Sequence, residues 1–319
     1  MAQFSPKAEP RKVTVAATQM SCSWDIEENL KKAEKLVRDA AAAGANIILL
    51  QELFEAPYFC QEQKEKYYRL AQPVDESPLI QRFAKLAGEL GVVLPISFFE
   101  RAGNAYFNAL VVADADGSIA GHYRKSHIPD GPGYQEKFYF SPGDTGFKVF
   151  KTRFADIGVL ICWDQWFPEG ARCAALMGAE LLLYPTAIGS EPPNPSYSSY
   201  PHWARVMQGH AGANMVPLIA SNRIGKETFE QSHITFYGGS FIAGPSGEIV
   251  VQASDRGSSL QRKNGGIDAE PEQKEGFVTA TFDLDECRIT RSGWGLFRDR
   301  RPDLYGAITT LDGYRNPRH

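Results

Sequence analysis

The residues Ala155–Arg172, ADIGVLICWDQWFPEGAR, constrain the fold more than any other stretch of the chain. Ile157-Gly158-Val159-Leu160-Ile161 is a short apolar run with β-branched side chains, the pattern of a strand covered on both faces. Pro168 at a first helical position, with Glu169 in the first turn, announces a helix directly after it. A buried strand that feeds a helix within a few residues is half of a βα unit, so the chain is expected to be a layered α/β protein. Cys162 sits at the junction. A thiol at a sharp turn near the positive end of a helix is expected to favour thiolate, the nucleophilic form. Cysteine also packs well as a small buried hydrophobe, so the position by itself leaves both readings open.

Either side of this unit the chain alternates between apolar runs and amphipathic segments. Val13–Gln19 reads as a strand, followed by a helix with Asp25 as N-cap and Gly44 as C-cap. Asn46–Glu52 is a second buried strand ending on a carboxylate, and Ser77–Leu90 a second helix. Val92–Glu100 is a strand, and Phe107–Ala113 pairs with Ser118–Lys125 through the turn Asp116-Gly117. Residues 126–145 are loop-rich. Beyond the central unit come strand Glu180–Tyr184, a Pro/Ser-rich loop over Pro185–Tyr200, helix Trp203–Asn214 and strand Val216–Asn222. A hairpin then pairs Ser240–Ala243 with Glu248–Gln252, and Phe277–Phe282 is a last strand. Roughly ten to twelve strands with four or five helices give one α/β domain, built on a mixed sheet or two stacked sheets. The expected divisions are a loose polar tail at 1–11, the domain at 12–293 and a tail at 294–319. The last carries Trp294, Phe297, Tyr305 and Tyr314 and is expected to dock on the body or on a partner subunit. The polar segment 254–274 reads as an insertion or an interface arm.

Charge and composition exclude several functions. A formal net charge of −4 offers no footprint for nucleic acid. No apolar run reaches membrane-spanning length, and MAQFSPKAEPRK lacks the apolar segment of a secretory leader. The five cysteines are odd in number and widely spaced, which suits a reducing compartment, so the cytoplasm is expected. The six histidines are dispersed and the glycines lack a phosphate-binding frame, so neither metal nor cofactor is expected.

Three of the strands end on reactive side chains: Glu52, Lys125 and Cys162. Strand ends in layered α/β folds aim side chains into a common crevice. Taken singly, Glu52 reads equally as a solvated strand end and Lys125 as a surface charge. Together, IILLQELF, HYRKSHIPD and GVLICWDQWFPEGAR resemble the nitrilase/carbon–nitrogen hydrolase superfamily, whose signature is a Glu–Lys–Cys triad at three strand ends. A second glutamate of the family pattern falls on Glu136 in GPGYQEKFYF. The resemblance spans residues 12–300 and implies a four-layer α-β-β-α sandwich.

The resemblance implies roles that suit the residue types. Cys162 is the nucleophile that divides one hard hydrolysis into two covalent steps. Glu52 takes the thiol proton, gives it to the departing amine and later activates water. Lys125 stabilises the tetrahedral oxyanion together with the backbone N–H of Trp163, and Glu136 orients Lys125. His127 is expected to be structural or pocket-shaping rather than a base.

Within the family, CWDQWFPEGAR, TAIGSEP and HWARVMQGHAGANMVPLIASNRIG resemble a branch that removes the carbamoyl group from an N-carbamoylated four-carbon diamine. Charge points the same way. Relatives that cleave N-carbamoyl amino acids place basic residues just after the nucleophile, where this chain has Gln165 and Trp166. Glu191 is a candidate partner for the distal ammonium of a diamine, or else a solvated loop charge. Tyr58, Tyr134 and Trp163 are candidates for the walls of a slot, with cation–π attraction, or else core aromatics. Ala187, within TAIGSEP, falls in the same binding region. The Pro-Pro-Asn-Pro run after Glu191 departs from the branch pattern. Alternatives are another N-carbamoyl or ω-amide hydrolase, such as a β-ureidopropionase-like enzyme, and a non-catalytic module on the same fold. The resemblance also implies a homo-oligomer built from dimers, up to an octamer.

Overall fold

A strand buried on both faces must be apolar at successive positions, and β1 (Lys12–Gln19) is buried at six of its eight residues. In the computed structural model, which describes residues 10–253 and 274–314, β1 is followed by α1 (Ile26–Ala42), β2 (Ile47–Leu49), α2 (Pro78–Leu90) and β3 (Leu94–Ala102). Next come β4 (Ala105–Ala113), β5 (Ile119–Arg124), β6 (Val149–Lys151), β7 (Asp156–Val159), α3 (Pro168–Leu176) and β8 (Leu181–Pro185). The chain continues through α4 (Tyr200–Asn214), β9 (Leu218–Ser221), β10 (Ile224–Thr228), β11 (His233–Tyr237) and β12 (Phe241–Ala243). It closes with β13 (Ile249–Gln252), β14 (Gly276–Asp283) and α5 (Leu284–Trp294).

One sheet runs β14-β1-β2 and is joined to β3-β4-β5 by a parallel bridge between Ile47 and Val93. The other runs β13-β12-β9-β8-β7-β6, with β7, β8 and β9 parallel at its centre. Alternation along the strands assigns each face. Leu181 and Leu183 meet Val15, Leu49 and Leu110 between the sheets, whereas Leu182 and Tyr184 face Ala171 and Ala174 of α3 and Trp203 and Met207 of α4. On the other side Leu30 and Val37 of α1 and Phe83 of α2 pack on Ile48, Ile96 and Val111. The layers are therefore α-β-β-α, as expected from the resemblance.

The local signals act as read, with three adjustments. Asp25 caps α1 by accepting from the Glu28 N–H at 3.0 Å, but the helix ends at Ala42, leaving Gly44 beyond the cap with φ +90°. The strand expected over Asn46–Glu52 leaves the ladder after Leu49, and this departure carries Glu52 into the crevice. The β10–β11 hairpin, β6 and α5 were not expected, because IGKET and VFK are short and mixed in polarity. Past α5 the tail lies near α3, with the Arg172 guanidinium over the Phe297 ring. Trp294, Leu304 and Ile308 remain exposed on this chain. The leading tail lies largely outside the described residues, and so does all of 254–274 but its last residue.

Candidate active site

Lys125, immediately past β5, is wholly buried between two wholly buried carboxylates. Its Nζ donates to Glu52 Oε1 at 2.8 Å and to Glu136 Oε1 and Oε2 at 2.9 and 2.7 Å. All three ammonium protons are thereby engaged. Asn108, in the interior of β4, donates to Glu52 Oε1 at 2.7 Å and lies 3.4 Å from Glu136 Oε2. Tyr58 donates its hydroxyl to Glu136 Oε1 at 2.6 Å. The other oxygen of Glu52, Oε2, is buried without a hydrogen-bond partner.

Cys162 lies just past the end of β7, almost buried, and opens a short 3₁₀ turn over Cys162–Trp166 with φ +40°. Left-handed backbone at a residue with a Cβ is strained and persists only where surrounding contacts hold it. Asp164 supplies those contacts. Its carboxylate accepts from the Ile161 N–H at 3.0 Å, the Tyr123 hydroxyl at 2.8 Å and the His127 N–H at 2.9 Å, and lies 2.7 Å from His127 Nδ1. His127 also stacks on Phe167, so it braces the turn.

Electrostatics correct one expectation. Burial pushes the Cys162 thiol well above its ordinary value, and the Glu52 charge pushes it further, outweighing the cation of Lys125. Both effects favour the thiol over the thiolate. Helix α3 begins only at Pro168, past the 3₁₀ turn, so the sequence overestimated the helix dipole at the sulfur. Burial disfavours the Lys125 ammonium, yet Glu136 and Glu52 more than offset this and hold it charged. Burial, only partly opposed by Lys125, raises the Glu136 carboxyl.

A cavity of about 170 Å³ reaches Cys162 and Glu136. Tyr58, Tyr134, Trp163, Ala187 and Glu191 line it; Glu52 and Lys125 do not, and they act on the sulfur through their charges. Tyr58 is closed off by its bond to Glu136 and the Tyr134 hydroxyl is tied to Ser190 O at 3.1 Å and the Gly189 N–H at 3.0 Å, so both rings are fixed walls. Trp163 is partly exposed, and the Ala187 carbonyl lies 3.7 Å from the sulfur. Glu191 also borders a larger basin of about 750 Å³ outside. Asp130 joins the inner lining, and no Lys, Arg or His does so among the described residues. Behind Trp166, Gln165 accepts from the Trp203 indole at 2.7 Å and from Thr186 at 3.1 Å.

Sequence reasoning missed Asn108, Asp164 and Asp130. Asn108 carried a usable signal, a lone amide inside the apolar run AYFNALVVA, since a polar group buried in a strand needs a specific partner.

A fold of this layering, with lysine, two carboxylates and a thiol converging at strand ends, matches the family model described as carbon-nitrogen hydrolase over residues 14–292, and the chain belongs to that family. It is a hydrolase of carbon–nitrogen bonds. Among particular relatives, it is 59% identical over 307 residues to the N-carbamoylputrescine amidase of Arabidopsis thaliana, covering 95% of this chain and 97% of that one. It is 51% identical over 296 residues to a citrullinase of Francisella tularensis, covering 93% and 98%. The crystal structure of a carbon-nitrogen hydrolase from Helicobacter pylori G27 superposes with a TM-score of 0.83 at 37% identity, over 94% of this chain and 99% of that chain.

Proposed function

We propose that this protein hydrolyses N-carbamoylputrescine to putrescine, ammonia and carbon dioxide, a step of polyamine biosynthesis. Glu52 takes the Cys162 thiol proton on Oε2, the oxygen without a partner, as the sulfur attacks the carbamoyl carbon. The oxyanion that forms is met by the backbone N–H of Trp163 and the charge of Lys125. Collapse breaks a C–N bond, and Glu52 returns the proton to the departing nitrogen. Glu52 then deprotonates a water, whose oxygen displaces the sulfur. The released carbamic fragment decomposes to carbon dioxide and the remaining amine. Glu136, fixed by Tyr58, orients Lys125 throughout.

The choice of substrate rests on the lining of the inner cavity. Asp130 and Glu191 supply negative charge there, and no basic side chain among the described residues accompanies them. N-carbamoylputrescine presents an ammonium at its far end. Citrulline carries an additional carboxylate on the adjacent carbon, which this lining would repel. An ammonia-release assay over N-carbamoylputrescine, citrulline, N-carbamoyl-β-alanine and ω-amides tests the reading. N-carbamoylputrescine is expected to lead citrulline by about 100-fold or more in kcat/KM. Equal turnover of citrulline would replace this reading by a citrullinase-like one. Glu191→Gln should raise KM for N-carbamoylputrescine about tenfold while sparing the neutral analogue N-butylurea.

The protein acts as a homo-oligomer built from dimers, up to an octamer. The exposed Trp294, Leu304 and Ile308 support subunit contacts through the tail, and analytical ultracentrifugation tests it. All five cysteines are free, which supports a cytoplasmic location.

A further inference from the structure

Arg223 and Glu227 form a buried ion pair that touches none of the reacting groups through its side chains. Arg223 lies between β9 and β10, and Glu227 is within β10. The guanidinium spends its four terminal N–H groups on four acceptors. From Nη1 it donates to the Ala56 carbonyl and to Glu227 Oε1, both at 2.9 Å. From Nη2 it donates to the Glu52 carbonyl at 3.0 Å and to the Leu53 carbonyl. The second oxygen of Glu227 accepts from the Tyr58 N–H at 2.6 Å.

These acceptors are the backbone of the segment that carries Glu52 and Tyr58. Leu53 holds φ +47°, which turns successive carbonyls toward one cation and is costly for a residue with a Cβ. β2 has already ended at Leu49, so this stretch is held by separate bonds instead of a ladder: the Glu52 N–H donates to the Thr186 carbonyl at 3.3 Å and the Leu53 N–H to Ser97 Oγ at 3.0 Å, which leaves the Glu52 and Leu53 carbonyls to Arg223. A planar guanidinium with fixed donor directions suits such a cradle, and an ammonium could not reproduce it.

We propose that Arg223 and Glu227 are positioning residues for the hydrolysis, a clamp that sets Glu52 against the sulfur and, through Tyr58, sets Glu136 against Lys125. The inference rests on the assignment of Glu52 as the proton carrier. A buried ion pair is weak as a source of stability, since desolvation offsets much of the attraction, but it fixes geometry where its donors are met, as four of the five guanidinium N–H groups are here, the Nε–H having no partner. Displacement of a proton carrier by about 1 Å costs on the order of 100-fold in rate. Of the clamped segment only Tyr58 lines the substrate cavity; the rest of the lining comes from other segments, chiefly Trp163, Tyr134 and Glu191.

The test compares Arg223→Lys and Glu227→Gln with the parent protein in steady-state hydrolysis of N-carbamoylputrescine, with folding checked by circular dichroism and thermal melting. Arg223→Lys is expected to lower kcat about 100-fold with KM within about threefold. Glu227→Gln leaves one acceptor oxygen where the carboxylate serves Arg223 with one and the Tyr58 N–H with the other, while the three backbone anchors of Arg223 stay in place, and it is expected to lower kcat about tenfold with KM within about threefold. A folded Arg223→Lys with parent kcat, or a loss confined to KM, overturns the proposal. If Arg223→Lys does not fold, Glu227→Gln decides alone by the same kcat criterion. Failure of both to fold overturns it in favour of a purely structural pair. Absence of turnover by the parent protein would instead overturn the substrate reading, so the two failures are distinguishable.

Discussion

The Tyr58 hydroxyl lies 2.6 Å from Glu136 Oε1, on the same carboxylate that grips Lys125 with both oxygens. An aromatic residue that would serve as the wall of a substrate slot is thus also a donor that holds the lysine's partner in place. The bond crosses 78 residues of chain and joins a loop after β2 to a turn after β5.

Tyr58→Phe keeps the ring and removes the donor. A hydrogen bond to a charged group is worth about 1.5–3 kcal/mol, so kcat is expected to fall by about tenfold or more, with a lowered melting temperature because the same bond is buried. Unchanged kcat in this variant would mean that Glu136 needs no support from Tyr58.

Glu52→Gln separates two properties of the sulfur. The Glu52 charge helps to hold the thiol protonated, so its removal should favour thiolate. Alkylation of Cys162 by iodoacetamide at pH 8 is expected to quicken by about threefold or more, whereas ammonia release falls by about 1000-fold. Mass spectrometry of the alkylated peptide gives the first rate. A parallel loss of both activities would contradict this account of the charge.

Asp164→Asn tests the brace beneath Cys162. The amide offers one acceptor oxygen where the carboxylate serves the Ile161 and His127 N–H groups, the Tyr123 hydroxyl and His127 Nδ1. Urea unfolding should show a loss of about 2–4 kcal/mol, with kcat reduced in the folded fraction. Parent-like stability would show that the turn holds its left-handed residue without this carboxylate.

Glu55 gives the pH dependence of stability a definite sign. Burial pushes its carboxyl from an ordinary 4.5 up to about 7. Between these values the folded chain keeps a proton that the unfolded chain has lost, so stability falls as pH rises from 4.5 to 7 and stays lower above. Glu55→Gln removes the penalty. It should stabilise by roughly 1–3 kcal/mol at pH 8 and scarcely at all at pH 4.5. An equal change at both pH values, measured by thermal melting, would contradict the sign.

Read along the chain, Cys162 and Glu52 were legible because each follows an apolar run, which announces a strand by itself, and Lys125 because it ends the strand that the Asp116-Gly117 turn sets against Phe107–Ala113. Glu136 was legible only through the family pattern that the other three completed. The four-layer arrangement came from the same pattern, since periodicity by itself allowed either one mixed sheet or two stacked ones. What the sequence by itself determined was therefore the order of the strongly apolar strands and amphipathic helices, without β6, the β10–β11 hairpin and α5, and which reactive side chains stand close to the ends of strands. The tertiary structure decided the rest: that Asn108 bridges toward both carboxylates, that Asp164 locks the turn, that Arg223 reaches back about 170 residues to the Glu52 carbonyl, and that burial and Glu52 push the thiol up. Periodicity is set by neighbours a few residues apart. Hydrogen-bond partners and the charge of a buried group are set by what packs against them in space, and here those contacts come from segments far apart in the chain.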